Sequence, residues 1–263
     1  MCVCALMLWQ AQRLMEHDTG ARLLLLTFGM RQVVAGVCPI RISSAAHGGC
    51  SGLLYATHKE YPTFLMSTVD VSHEHAMPSL DACAKDISRE WAQAWGHALR
   101  LAPRLRCDAP LSSRANIDVK DGKFLVTGGL GGLGLRVGSL LQQAGSGLVL
   151  TSRSGRVPRD GQGLDKVLTS LLKRRATSLV CDVQERAQVV ATLMRESITG
   201  IIHAAGVSTN TPLNGVVLSH VEAAYAPKAV GAAHIHAVVS IFSLQASLAL
   251  SSISTFWCRA GQV

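Results

Sequence analysis

From residue 119 onward, short apolar runs alternate with longer segments whose apolar residues recur at helical spacing. The runs at 124–127, 148–151, 178–181, 200–203 and 247–250 predict strands, and the segments 132–144, 164–175, 185–197 and 219–239 predict helices. Successive positions in each run are apolar, so both faces of every strand must be covered. That condition is met by a parallel sheet with helices on both sides. The expected fold class is therefore α/β, a doubly wound parallel sheet of the Rossmann type. Before residue 119 the pattern differs. RLLLLT at 22–27 and FLMSTVDV at 64–71 read as strands, SSAAHGGCSG at 43–52 is a Gly/Ser/His-rich stretch, and 80–101 reads as a helix. The opening MCVCALMLW reads either as a buried helix or as a product of where the chain was cut. A stretch rich in Pro, Arg and Ser, APRLRCDAPLSSRANIDVKDG, reads as a surface connector and divides the chain into 1–118 and 119–263.

Composition narrows the classes. With 263 residues, 48% apolar and 16% charged, the chain can bury a sizeable core, which excludes disorder, collagen and a pure coiled coil. Twenty-five Lys and Arg against 17 Asp and Glu give a net charge of +8, suited to a phosphate-bearing ligand, an acidic partner or nucleic acid. The longest basic run is Lys173, Arg174, Arg175 and aromatics make up only 5%, so no nucleic-acid partner is expected. MCVCALMLW has roughly half the length of a membrane span, and no membrane association is expected. The eight cysteines contain no C-x-x-C pair, which points to reduced thiols in a cytoplasmic compartment. His73-x-His75 and His234-x-His236 lack a third ligand nearby, and i, i+2 side chains on a helix point apart, so no metal is expected.

Candidate chemistry begins at FLVTGGLGGLG, 124–134. Gly129, Gly131 and Gly134 form G-x-G-x-x-G directly after a predicted strand and at the start of a predicted helix. Glycines suit a tight turn and the close approach of a pyrophosphate to backbone N–H groups. The competing reading is a glycine loop without a ligand. An NAD site places an acid about 20 residues on, to hold the ribose hydroxyls. Here the corresponding strand ends in Thr151, Ser152, Arg153, Ser154. A guanidinium takes a 2′-phosphate bidentately, so the pattern favours NADP; Arg153 as an ordinary solvated loop cation is the alternative.

The motifs TGGLGGLG (127–134), TSRSG (151–155), CDV (181–183), HAAGV (203–207), APKAVGA (226–232) and LSSIS (250–254) occur in that order. Together they resemble the ketoreductase domain of modular polyketide synthases, a branch of the short-chain dehydrogenase/reductase superfamily related to the ketoreductase of animal fatty acid synthase. The resemblance implies an NADPH-binding catalytic subdomain at 119–263. It extends more weakly to 20–118, where it implies a degenerate Rossmann-like structural subdomain.

Carried over by position, the resemblance assigns Thr127, Gly128, Gly129, Gly131, Gly132 and Gly134 to cofactor phosphates and ribose, and Arg153 and Ser154 to the 2′-phosphate. It places Asp182 and Val183 beside the adenine and Ala204, Ala205 and Gly206 beside the riboses. Before QERAQVV, Asp182 also reads as a helix-capping acid. Ketone reduction needs a proton donor and a group that stabilises the developing alkoxide. Lys228 and Ser252, 24 positions apart, match the family's Lys and Ser; without the resemblance they read as a helix-surface cation and a strand-end hydroxyl. The family's Tyr, in G-Q-x-x-Y, falls two positions beyond Val263, and AGQV matches the start of that motif. The expectation is thus a C-terminally incomplete sheet and an incomplete piece of a larger synthase, inactive by itself.

Ser208, Thr209 and Asn210 stand where the family's L-D-D fingerprint would lie, and Trp257 stands eight positions before the expected Tyr. Both features resemble the A-type reductases, with Trp257 orienting the substrate; packing of Trp257 under a lid is the alternative. The function implied is NADPH-dependent reduction of a β-ketoacyl chain on an acyl carrier protein, with other synthase domains as partners. The alternatives are a non-catalytic fragment or pseudo-reductase with a cofactor-binding or scaffold role and, more distantly, a basic nucleic-acid-binding module.

Overall fold

The computed structural model describes residues 3–16, 22–28, 48–71, 79, 81, 92–96, 99–102, 119–158, 162–242 and 244–252. The chain divides into two compact units. The first comprises 1–110, 208–221 and 252–263, and the second 111–207 and 222–251.

In the first unit, helix α1 (Val3–Glu16) buries Cys4, Met7, Leu8 and Ala11, the stripe that a 3.6-residue period brings to one face. This stripe packs with Cys50, Leu53 and Leu54 of helix α2 (Gly48–Glu60), so the opening segment is a buried helix. Within the Gly/Ser/His-rich stretch, the described residues 48–52 form the start of α2. Burial of Cys50 beside Cys4, with the two sulfurs 3.7 Å apart, decides against the local turn preference of Gly and Ser.

Strands β1 (Leu23–Phe28), β2 (Met66–Val71), β3 (Ala92–Gly96) and β4 (Leu99–Leu101) form one sheet in that order. β1, β2 and β3 are parallel, and β4 runs antiparallel to β3. The helix expected over 80–101 is therefore wrong over 92–96 and 99–101, while 80, 82–91 and 97–98 lie outside the described residues. Ala92, Gln93 and Ala94 are all buried in a strand that pairs on both sides, and the ladder outweighs the helix propensity of AQAWGHALRL. The segment 208–221 is fastened within this unit by side chains. Gln12 Nε2 donates to the carbonyls of Leu213 and Val216 at 2.8 and 2.9 Å, and Glu60 Oε2 accepts from the Leu213 N–H at 2.6 Å.

In the second unit, strands β5 (Lys123–Thr127), β6 (Gly147–Ser152), β7 (Thr177–Val180), β8 (Gly200–His203) and β9 (Ala246–Ala249) form an all-parallel sheet in the order β7-β6-β5-β8-β9. The intervening helices are α3 (Gly132–Gln143), α4 (Leu164–Lys173), α5 (Arg186–Arg195), α6 (Leu218–Tyr225) and α7 (Gly231–Val239). The strands and helices expected from 119 onward are all present, with ends differing by a few residues. Between α6 and α7 the expected single helix widens into a π turn at Ala226–Val230. Pro227 removes one N–H from the helical ladder, a common cause of such a bulge.

Alternate residues of each strand enter opposite cores. Phe124, Val126, Leu148, Leu150 and Ile202 pack with Leu135 and Leu141 of α3 and Leu164 and Leu171 of α4. Leu125, Val149 and Ile201 pack with Val189 and Leu193 of α5 and Ile235 and Val238 of α7. Each fully buried side chain of this size contributes about 1.5–3 kcal/mol by removal from water.

Gly200 shows how tightly the first of these cores is filled. A Cβ there would stand 2.3 Å from Phe124 Cε1 and 2.6 Å from its Cδ1. Gly200→Ala is expected to lower the unfolding free energy by about 1–3 kcal/mol, measured by denaturant titration. An unchanged midpoint would show that the Phe124 ring relaxes freely.

Candidate functional site

The strand order of the second unit reverses between β5 and β8, and the loops that leave the carboxyl ends of these two strands flank the crevice where open α/β sheets bind ligands. The β5 loop is shaped by its glycines. Gly128 has φ +65°, and a Cβ there would stand 2.7 Å from Ala205 Cα and 2.8 Å from Ala204 O, so the loop lies backbone to backbone on the β8 loop. Ala204 N donates to Thr127 O at 3.0 Å, and Gly129 N donates to Thr151 O at 2.8 Å, tying the turn to β8 on one side and β6 on the other. A Cβ on Gly134 would meet Gly128 O at 2.4 Å, so α3 presses directly on the loop.

Gly132 behaves differently. A Cβ there would meet only side-chain atoms, the nearest being Arg136 Nη1 at 3.6 Å. Its smallness is not demanded by the chain's own packing. Helix α3 has Gly131 at its N-cap and no side-chain cap, so the N–H groups of its first turn remain available to an anion.

At the end of β6, Gly155 N donates to Ser152 Oγ at 3.0 Å and Arg156 N to Ser154 Oγ at 3.3 Å, which fixes the turn that carries Arg153. Arg153 and Ser154 are exposed, and no carboxylate among the described residues pairs with Arg153. Asp182 Oδ1 accepts from the Gln184 N–H at 3.0 Å, so the acid stabilises the turn before α5. The Val183 side chain is buried in the core, and its carbonyl accepts from His234 Nδ1 at 3.1 Å. Cys181 is buried in the core with Val183 and Val189, and desolvation pushes its thiol above the ordinary range.

Lys228 lies in the π turn and is exposed, and its stem runs across Gly206: a Cβ on Gly206 would stand 3.2 Å from Lys228 Cε. Leu250 N donates to His203 O at 2.9 Å, extending the β8/β9 pairing just beyond β9. Ser252 follows two residues later, exposed, and is grouped with the first unit. The structure thus gathers Thr127–Gly134, Ala204–Gly206 and Lys228 in the second unit. Trp257 and the pair His73-x-His75 lie outside the described residues. Among the described residues no group of three or more His, Cys, Asp or Glu is placed to hold a metal ion, and no helix is long and apolar enough to cross a membrane.

Sequence reasoning did not single out His203. Its Nδ1 lies 2.7 Å from Thr127 Oγ1, and both residues are buried, at 6% and 1% exposure. The Thr127 hydroxyl is therefore engaged inside the protein. The available signal was a polar residue closing the apolar strand GIIH.

The KR domain family model matches residues 122–263. The polyketide synthase GfsA of Streptomyces halstedii is 35% identical over 142 residues, which cover 52% of this chain and 2% of that protein. The mycocerosic acid synthase-like polyketide synthase of Mycobacterium tuberculosis is 27% identical over 247 residues, covering 85% of this chain and 11% of that protein. The solved structure of A-type ketoreductases from a modular polyketide synthase matches with a TM-score of 0.80 at 27% identity, over 97% of this chain and 56% of that one. The chain belongs to the KR domain family, the polyketide-synthase ketoreductases of the short-chain dehydrogenase/reductase superfamily. That fold implies a nicotinamide cofactor. The loop geometry fits one, with uncapped N–H groups at α3 and open space at Gly132.

His203 gives the crevice a pH signature. Burial holds its imidazole below the ordinary value of 6.5, opposed in part by backbone groups of Lys228 and Pro227. The unfolded chain then takes up the proton more readily. The stability this contributes is complete above 6.5 and is lost as the pH falls through the depressed folded value. Urea midpoints at pH 7.5 and 5.5 should differ less in His203→Gln than in the unsubstituted chain; an equal difference would show that His203 does not titrate with unfolding.

Proposed function

We propose that this chain binds NADPH in the crevice between the β5 and β8 loops and serves the reduction of a β-ketoacyl thioester, tethered to an acyl carrier protein, to the β-hydroxyacyl form. The observation that carries the reading is Gly132, kept free of a side chain where no protein atom forbids one, at an uncapped helix start. Thr127, Gly128, Gly129, Gly131 and Gly134 shape the loop around the phosphates, and Ala204, Ala205 and Gly206 line the ribose side. Arg153 and Ser154 receive the 2′-phosphate, and Asp182 with Val183 borders the adenine. When bound, the nicotinamide supplies the hydride.

Ser252 is assigned to hydrogen-bond the substrate carbonyl, and the proton is expected from the family's Tyr. Lys228 supports that Tyr and the cofactor ribose electrostatically, a role its Nζ can fill because the stem is laid across Gly206. The carrier protein and other synthase domains are the expected partners, consistent with the chain spanning 2% and 11% of the two curated relatives above. The subdomain at 1–118 is assigned a structural role, and 119–263 the cofactor and the chemistry.

Fluorescence titration tests the cofactor. NADPH should bind more tightly than NADH by about 1–3 kcal/mol, and Arg153→Ala should remove most of that difference. Gly132→Ala should keep the unfolding midpoint while weakening NADPH. No binding of either dinucleotide would favour the scaffold reading instead.

The stereochemical outcome rests on Ser208, Thr209 and Asn210 in place of L-D-D and on Trp257. An A-type reductase that carries this domain should give the L-configured β-hydroxyl, because the side from which the acyl arm approaches decides which carbonyl face meets the hydride. Chiral chromatography of the product checks this, and a predominantly D-configured alcohol would refute it.

A further inference from the structure

We propose that Cys4 and Cys50 form a redox-sensitive latch: a small-molecule disulfide oxidises the pair to a disulfide, and that bond secures the grip of α1 and α2 on the segment around Leu213. The two sulfurs stand 3.7 Å apart across the contact between the helices, and both residues are buried, at 3% and 0% exposure. Both are thiols, 46 positions apart in the sequence. The third cysteine among the described residues, Cys181, sits in a core of the other unit. Bonded sulfurs are about 2.05 Å apart, so the pair has about 1.6 Å to close, which side-chain rotation and a slight approach of the helices can supply. As packing units two cysteines do no more than small apolar residues would, and what they add is the bond.

The latch and the grip belong to one layer. Cys4 and Cys50 lie in the first turns of α1 and α2, and both share a buried cluster with Leu53, Leu213 and Val216. Eight residues on from Cys4, Gln12 Nε2 donates to the carbonyls of Leu213 and Val216 at 2.8 and 2.9 Å. Ten residues on from Cys50, Glu60 Oε2 accepts from the Leu213 N–H at 2.6 Å. At about 1.5 Å per residue these positions lie roughly 12 and 15 Å along their helices, so α1 and α2 run side by side with the sulfurs at one end and Leu213 at the other. A bond between the sulfurs ties the end of the pair that the Leu213 segment does not, and it opposes any opening of α1 that would carry Gln12 away.

The step balances with a small disulfide such as glutathione disulfide as oxidant. When the first turn of α1 opens, the Cys4 thiolate attacks one sulfur of the oxidant, forming a mixed disulfide and releasing one glutathione thiolate. On closure the Cys50 thiolate attacks Cys4 Sγ, forms the bond between the two helices and expels the second glutathione. The two protein thiols lose two electrons, the oxidant is reduced to two thiols, and the two protons pass to the departing thiolates. In a reducing compartment the dithiol is the resting form, and the latch closes as the surrounding thiol pool is oxidised.

The test incubates the 263-residue chain with glutathione disulfide, blocks remaining thiols with iodoacetamide, and maps a digest made without reductant by mass spectrometry. The main linked peptide should join Cys4 to Cys50, and dithiothreitol should return both as thiols. Recovery of the two as separate thiols or glutathione adducts, or Cys4 linked chiefly to another cysteine, would overturn the latch. Hydrogen exchange at the Leu213 amide reads the grip in the same samples: it should slow about 10-fold on oxidation, with a melting temperature raised by roughly 5–10 °C. This comparison of reduced and oxidised protein needs no substitution. In Cys4→Ala the oxidant should leave Leu213 exchange within about 2-fold of its reduced value. The same slowing in oxidised Cys4→Ala, or a bond between Cys4 and Cys50 that leaves Leu213 exchange unchanged, would overturn the coupling of the latch to the segment.

Discussion

The site depends on a backbone-on-backbone contact. Gly128, at φ +65°, lies against Ala204 and Ala205 so closely that no β-carbon fits between them. This contact closes the end of β5 onto the end of β8 at the place where the sheet order reverses, and it leaves the glycine turn no freedom to collapse into the crevice. The bonds from Ala204 N to Thr127 O and from Gly129 N to Thr151 O tie the same turn to its neighbours on both sides. Small residues recur here because main chain meets main chain.

Beneath that contact runs a polar row in an otherwise apolar layer. Thr151, Thr127 and His203 occupy one register across β6, β5 and β8, directly above Val149, Leu125 and Ile201. Only the bond between Thr127 and His203 is made in full, while Thr151 Oγ1 and His203 Nε2 are buried without one among the described residues. Unsatisfied buried polar groups cost stability, and these two stand at the carboxyl edge of the sheet.

The two units differ in how they are held. The second relies on strands buried on both faces, with Phe124 against Gly200 marking the tightest packing. In the first, side chains also fasten irregular backbone: Gln12 and Glu60 hold the segment around Leu213, which follows the HAAGV strand end in sequence yet belongs with α1 and α2.

The parallel sheet and the family were legible in the sequence because each strand is a continuous apolar run and the glycines of TGGLGGLG, Gly132 excepted, answer a local steric demand. Three features needed the tertiary structure. β3 and β4 formed from helix-prone residues because a ladder with β2 was available to bury Ala92 and Ala94. The π turn is written locally in Pro227, but what lies under it is not. His203 and Thr127 stand 76 positions apart, and only the pairing of β5 with β8 places a hydroxyl against an imidazole. Local periodicity determines which segments are strands and helices; which polar groups meet between them is decided by strand order, a long-range property that no short window contains.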